Sequence, residues 1–122
     1  GVVAQRLVRR LCAHCRQAET ESAQKATEYR AKGCPHCLGT GYRGRVGVFE
    51  SLWLDEQMND DLLQGKIPTH AQIHHQAERY QHCYRSMAQD ALEKLHAGQT
   101  SRAELHKIGL NMKAVAPPTT AI

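Results

Sequence analysis

Cys12-Ala13-His14-Cys15 and, eighteen residues further on, Cys34-Pro35-His36-Cys37-Leu38-Gly39-Thr40-Gly41 are the stretches on which the reading of this chain turns. The pattern C-x2-C-x18-C-x2-C has the spacing of a four-cysteine zinc site. Two intervening residues let one tight turn aim both sulfurs at a common point. Two such turns complete a tetrahedron with Zn–S bonds of ~2.3 Å. Gly33, Gly39 and Gly41 flank the second pair, and glycine admits the positive φ that turns backbone N–H groups back toward sulfur. Four thiolates leave no open coordination position, so Cys12, Cys15, Cys34 and Cys37 are read as ligands of a structural zinc ion. A pair of disulfides is the alternative. Neither a βαβ redox unit nor a secretion signal accompanies it.

His14 and His36 lie inside the knuckles at positions that normally point away from a metal, and are read as exposed polar residues. The fifth cysteine, Cys83, is read as a small buried apolar side chain in a helical stretch. His70, His74, His75 and His82 form a loose cluster without a carboxylate or thiol at metal spacing, which reads as a solvated polar face.

Outward from the cysteines, charge is uneven. Residues 1–45 hold nine Lys/Arg against three acids, while residues 46–122 hold seven against nine. A basic half of this kind meets acidic partners, or offsets the net charge of about −2 on Zn2+ with four thiolates. At 122 residues, 41% hydrophobic and 23% charged, the chain fits one small globular unit rather than a disordered one. Its six aromatic residues promise a thin core, for which a metal staple compensates. No apolar run approaches the ~20 residues of a membrane helix. The first residue is not methionine and no signal-peptide order is present, so the chain is expected to be a fragment of a longer protein.

Val3, Leu7 and Leu11 recur at steps of four, predicting a short amphipathic helix over 3–11. Residues 17–30 read as a loop and short helix. Val46–Leu54, β-branched and aromatic between glycines, is the best strand. Asp55 is placed to cap a helix running to Gln64, with Met58, Leu62 and Leu63 inward and Gly65 ending it. After Pro68 the spacing of Ile73, Ala77, Tyr80, Tyr84, Met87, Ala91 and Leu95 predicts one long helix closing at Gly98. Ser101 and Glu104 form a capping-box pattern for a last helix bearing Leu105, Ile108 and Met112. The expected class is therefore α+β and mostly helical, with one or a few short strands. Phosphate-binding loops, dinucleotide fingerprints and catalytic constellations are absent; Gly39-Thr-Gly41 is too short for either glycine motif. The chain alone is expected not to be an enzyme.

Three segments together resemble a known family: Ala4-Gln-Arg-Leu-Val-Arg-Arg-Leu-Cys12-Ala-His-Cys15, Tyr29-Arg-Ala-Lys-Gly-Cys34-Pro-His-Cys37, and Gly39-Thr-Gly-Tyr-Arg-Gly-Arg-Val-Gly-Val-Phe-Glu50. They are similar in order, spacing and identity to the C-terminal part of the ATPases that drive type II secretion and type IV pilus assembly. Gly98-Gln-Thr-Ser-Arg-Ala-Glu104-Leu resembles the family's closing G-x-T-x-x-E stretch. The resemblance implies a cytoplasmic hexamer in which a RecA-like core binds ATP and Mg2+. Its phosphate loop, acidic boxes and histidine box have no counterpart here and would lie upstream of Gly1. It also implies a division into a remnant core helix (residues 1–11), a tetracysteine zinc subdomain (12–45), a strand plus helical subdomain (46–113) and a flexible tail (114–122). Arg43 and Arg45 are the candidate contacts to an acidic neighbour, either an adjacent ATPase subunit or the inner-membrane platform protein. The implied location is the bacterial cytoplasm, peripheral to the inner membrane.

Two other classes stay open on the residues alone. Cys34-Pro-His-Cys-Leu-Gly-Thr-Gly matches a single C-x-x-C-x-G-x-G repeat of Hsp40-type chaperones, which use several; this reading is a stand-alone protein-binding zinc ribbon. A nucleic-acid zinc ribbon would need stacking aromatics at the knuckles, where only Tyr29 and Tyr42 qualify, so no nucleic acid is expected as a partner.

Overall fold

Two long strands carry the architecture of the computed structural model, which describes residues 1–19, 27–75 and 83–110. The elements are, in order, Val2–Leu11 (β1), Gln17–Glu19 (β2), Glu28–Arg30 (β3), a 3-10 turn at Pro35–Cys37, Tyr42–Leu52 (β4), Glu56–Leu63 (α1), His70–His75 (α2), Tyr84–Arg85 (β5), Met87–His96 (α3) and Arg102–Lys107 (α4). β1, β4 and β5 form an antiparallel sheet with β4 in the centre; β2 and β3 form a separate antiparallel ribbon. The expectation of a mostly helical fold is corrected. Among the described residues, strands occupy about as much of the chain as helices, and the fold is α+β.

The first correction concerns residues 3–11, expected as a helix and found in β1. Val2 pairs with Leu52 and the register runs unbroken to Arg9 opposite Arg45, then shifts at a bulge before Leu11 meets Tyr42. A spacing of four residues is also an even number, so Val3, Leu7 and Leu11 suit a period of two as well as one of 3.6. The long pairing with β4 decides between them, aided by the β-branched Val2, Val3 and Val8. The strand expected over Val46–Leu54 falls largely within β4, at the centre of the three-stranded sheet.

The single long helix after Pro68 is likewise interrupted. α2 is described over His70–His75, Tyr84 and Arg85 pair with Leu52 and Ser51, and α3 begins only at Met87. Ser86 sets that start: its Oγ accepts from the Gln89 backbone N–H at 3.2 Å, and the Gln89 side chain accepts from the Ser86 N–H at 3.0 Å. This reciprocal cap satisfies two otherwise orphaned donors and fixes a helix N-terminus where a continuous stripe had suggested helix interior. Ala77, Tyr80 and His82 lie outside the described residues, as does the tail over 114–122.

α3 lays Ala91, Leu92 and Leu95 on the sheet face that carries Val8 and Val48, and Leu105 of α4 closes the cluster. Val48, Leu95 and Leu105 are fully buried. A second cluster gathers Met58 of α1 and Ile73 of α2 around Leu52, Leu54, Cys83 and Tyr84. The cap expected at Asp55 is present, its carboxylate accepting from Met58 N–H at 2.8 Å. Leu63, expected inward, is exposed, since the short helix turns only Met58 fully into the core. Cys83 is half-buried against Met58 at the entrance to β5, not in a helix.

Candidate metal centre

The bulge that ends β1 delivers the chain into the first knuckle. Cys12 N–H donates to Gly41 C=O at 2.9 Å, tying the first pair to the loop that follows the second. Arg16 N–H donates to Cys12 C=O at 3.0 Å, closing the turn that presents Cys15. In the second knuckle Cys34 is extended, Pro35 starts a single 3-10 turn, and Leu38 is left-handed at φ 57°. Gly39 N–H then returns to Cys34 C=O at 2.9 Å.

These turns bring all four sulfurs together, each ligand atom within 4.8 Å of the others. The Cys12–Cys34 and Cys15–Cys37 separations are both 3.8 Å, and Cys34–Cys37 is 3.7 Å. A sulfur–sulfur bond requires ~2.05 Å, so the spacing is wrong for disulfides, and all four cysteines are free. Sulfurs placed ~2.3 Å from a common centre at tetrahedral angles lie about 3.8 Å apart. The donor set thus fits a single thiophilic divalent ion.

Backbone donors surround the cluster. Cys34 N–H and Gly41 N–H point at the Cys37 sulfur at 3.2 and 3.1 Å, and Gly33 N–H points at Cys15 at 3.4 Å. Gly33 adopts φ +109°, and a Cβ there would lie 2.6 Å from Gly39 C=O, so no side chain fits. Burial opposes ionisation at Cys37, but the two N–H donors outweigh it and bring its thiol down to about 6. Burial pushes Cys15 up to about 11, with neighbouring sulfurs adding to the rise against the single Gly33 donor. A divalent cation is the natural complement of four thiol groups gathered this closely.

His14 and His36 stack on one another with ring centroids 4.0 Å apart, both exposed, and neither belongs to the sulfur cluster. Of the histidine cluster, His70 opens α2, and His82 lies outside the described residues. Arg43 and Arg45 are exposed in β4, at the end of the strand nearest the second knuckle. A cleft of about 490 Å³ lined by Leu52, Leu54, Met58, Leu62, Ile67 and Ile73 belongs to the second apolar cluster and touches none of the cysteines.

Sequence reasoning missed how the closing motif works. Ser101 Oγ caps α4, accepting from Glu104 N–H, but the Glu104 carboxylate does not return to Ser101. It reaches instead to Arg9 on β1, accepting from the guanidinium at 2.7 and 3.0 Å and from the Arg9 backbone N–H at 3.0 Å. Thr100, fully buried, donates to Arg9 C=O at 3.0 Å, and Tyr42 pairs its hydroxyl with Ser101 at 2.7 Å. Burial opposes the charge on Glu104, yet Arg9 and Lys107 hold its carboxyl down at about 2. A Thr and a Glu at this spacing, both buried, were the available signal, because buried polar side chains need partners.

The family model for "Type II/IV secretion system protein" matches residues 1–107. The type II secretion system protein HxcR of Pseudomonas aeruginosa is 38% identical over 108 residues, covering 88% of this chain and 21% of the relative. The type II secretion system ATPase E of Vibrio cholerae is 34% identical over 119 residues, covering 88% and 23%. The type IV pilus assembly ATPase PilB of Thermus thermophilus is 38% identical over 82 residues, covering 57% and 9%. The chain thus spans less than a quarter of the length of these relatives. With the match running through both cysteine pairs and the Thr100–Glu104 motif, the chain belongs to the type II/IV secretion system protein family.

Proposed function

We propose that this chain is the metal-stapled docking portion of a larger ATPase that powers type II secretion or type IV pilus assembly. In this reading ATP and Mg2+ are handled by other parts of the protein, which assembles as a cytoplasmic hexamer at the inner membrane. The observation that carries it is the four-sulfur cluster at tetrahedral spacing, in a chain whose relatives named as ATPases are several times longer. Bound zinc supplies charge neutralisation and a cross-link between the two knuckles. The thiolates of Cys12, Cys15, Cys34 and Cys37 hold it, the N–H groups of Gly33, Cys34 and Gly41 orient the sulfurs, and no substrate position is left open.

The sheet supports a place within a larger assembly. Arg9 N–H and C=O point away from β4, toward Glu104 and Thr100. By the two-residue period of a strand, the backbone groups of Val3, Gln5 and Leu7 face the same way, along the outer edge of β1. Val2, Val3 and Leu7 of β1 are exposed. Long edges with apolar flanks are covered in stable proteins.

Arg43 and Arg45 take the docking role, meeting an acidic surface on an adjacent subunit or on the membrane platform protein. The test is the double replacement Arg43→Glu/Arg45→Glu in the full-length ATPase. Hexamer assembly by analytical ultracentrifugation, or platform capture, is expected to fall by at least about tenfold, with metal content unchanged. Both unchanged would remove the docking role.

A further inference from the structure

The segment joining α3 to α4 is held from the knuckle side at several points. Arg16, the residue after Cys15, sends its guanidinium to Gly98 C=O at 2.7 Å and to Ala97 C=O at 3.4 Å, capping the last carbonyls of α3. The same guanidinium lies 4.8 Å over the Tyr29 ring of β3. Gly98 makes room for it: at φ +72°, a Cβ there would stand 2.4 Å from Arg16 Nη1. On the far side of the turn, Arg102 grips the Glu28 carboxylate of β3, its Nε donating at 3.0 Å, and holds that carboxyl below the usual range. Leu11 N–H, one residue before Cys12, donates to Gln99 C=O at 2.9 Å.

Each of these contacts starts from a residue beside a knuckle or between the two. Leu11 and Arg16 bracket the first cysteine pair, and Glu28 and Tyr29 lie on the ribbon connecting the two pairs. The same segment then carries Thr100 and Glu104, which fasten it to Arg9 of β1, and Ser101, which meets Tyr42 of β4. We propose that metal loading of the four cysteines sets the order and position of the Gly98–Lys107 segment, with Arg16 and Arg102 as the two links that transmit it. This inference rests on the metal-site reading above. It assigns the Gly98-x-Thr100-x-x-x-Glu104 segment a further role: a clasp that aligns the metal knuckle with the edge of the sheet.

Hydrogen–deuterium exchange on the 122-residue chain tests it, comparing the zinc-loaded form with the reduced, chelated form. Chelation is expected to raise exchange in residues 98–107 as well as 11–42, while α1 keeps its protection. Arg16→Met/Arg102→Met, which keeps the stems and removes both guanidinium groups, is expected to retain one zinc per chain. Exchange in residues 98–107 of its zinc form should rise by about tenfold or more and respond little to chelation. If chelation loosens only 11–42, or loosens α1 to the same extent as 98–107, the proposal is overturned. It is overturned equally if the double variant behaves like the parent chain. Failure of the parent chain to bind zinc would overturn the metal-site reading and this inference with it, an outcome distinct from zinc binding without coupling.

Discussion

The knuckle region and the sheet–helix region solve the same problem by different means. Around the cysteines the buried apolar set is little more than the sulfurs themselves, Cys12, Cys15 and Cys37 with Cys34 packed against them. Around β4 the set is Val8, Val48, Ala91, Leu92, Leu95 and Leu105. The first region holds its shape through backbone N–H groups aimed at sulfur, and its four sulfurs are spaced to take a metal ion. The second relies on area removed from water and on buried carboxylates with paired donors. A small chain can combine both because each covers a segment the other cannot: there are too few side chains near the knuckles to bury, and no thiols within the helices to bind.

The contrast can be broken in graded steps. Cys34→Ser has the largest expected effect, because metal binding in such sites is folding energy on the order of 10 kcal/mol. Metal should be lost and residues 12–41 should unfold, measured by metal content and by exchange protection. Leu95→Ala, at a fully buried position, should cost about 3 kcal/mol in denaturant unfolding and leave one metal per chain. Retained metal in the second variant and lost metal in the first would draw the boundary between the regions; metal loss in both would erase it.

Glu104→Gln sharpens the comparison where the two regions meet. The Glu104 carboxyl is depressed from 4.5 to about 2 in the folded chain, with burial opposing the charge and Arg9 and Lys107 favouring it. A depressed folded value means the stabilisation is fully present above the unfolded value and is lost as pH falls. Acid unfolding should therefore show this group's contribution disappearing between about 4.5 and about 2. In the Gln variant the parent chain's extra stability near neutral pH should be absent and the slope in that acid window flatter. Ser86→Ala is the smallest step, removing the α3 cap at a cost of about 1 kcal/mol with metal content untouched.

How much of this was legible in the sequence follows from which physical signals are unique. The pairing of Cys12 and Cys15 with Cys34 and Cys37 could be read because tetrahedral sulfur ligation tolerates few spacings. The caps at Asp55 and Ser101 could be read because a short acceptor before a helix has a local role. Residues 3–11 misled because a step of four serves a strand as well as a helix, and only the non-local pairing with β4 decides between them. The stripe from Ile73 to Leu95 misled because apolar spacing continued across Tyr84 and Arg85, although Ser86 and Gln89 already spelled a helix start. Glu104 was assigned to its nearest partner, Ser101, when burial against β1 gave it Arg9. Local patterns fixed element ends well. Contacts between distant residues set the rest.

Cobalt substitution of the reduced chain tests the central claim most directly. Four-thiolate coordination predicts one Co2+ per chain with intense sulfur-to-metal charge-transfer bands and tetrahedral visible bands, all displaced by one equivalent of Zn2+. A chain that keeps its circular dichroism and exchange protection while binding no cobalt or zinc would contradict the account.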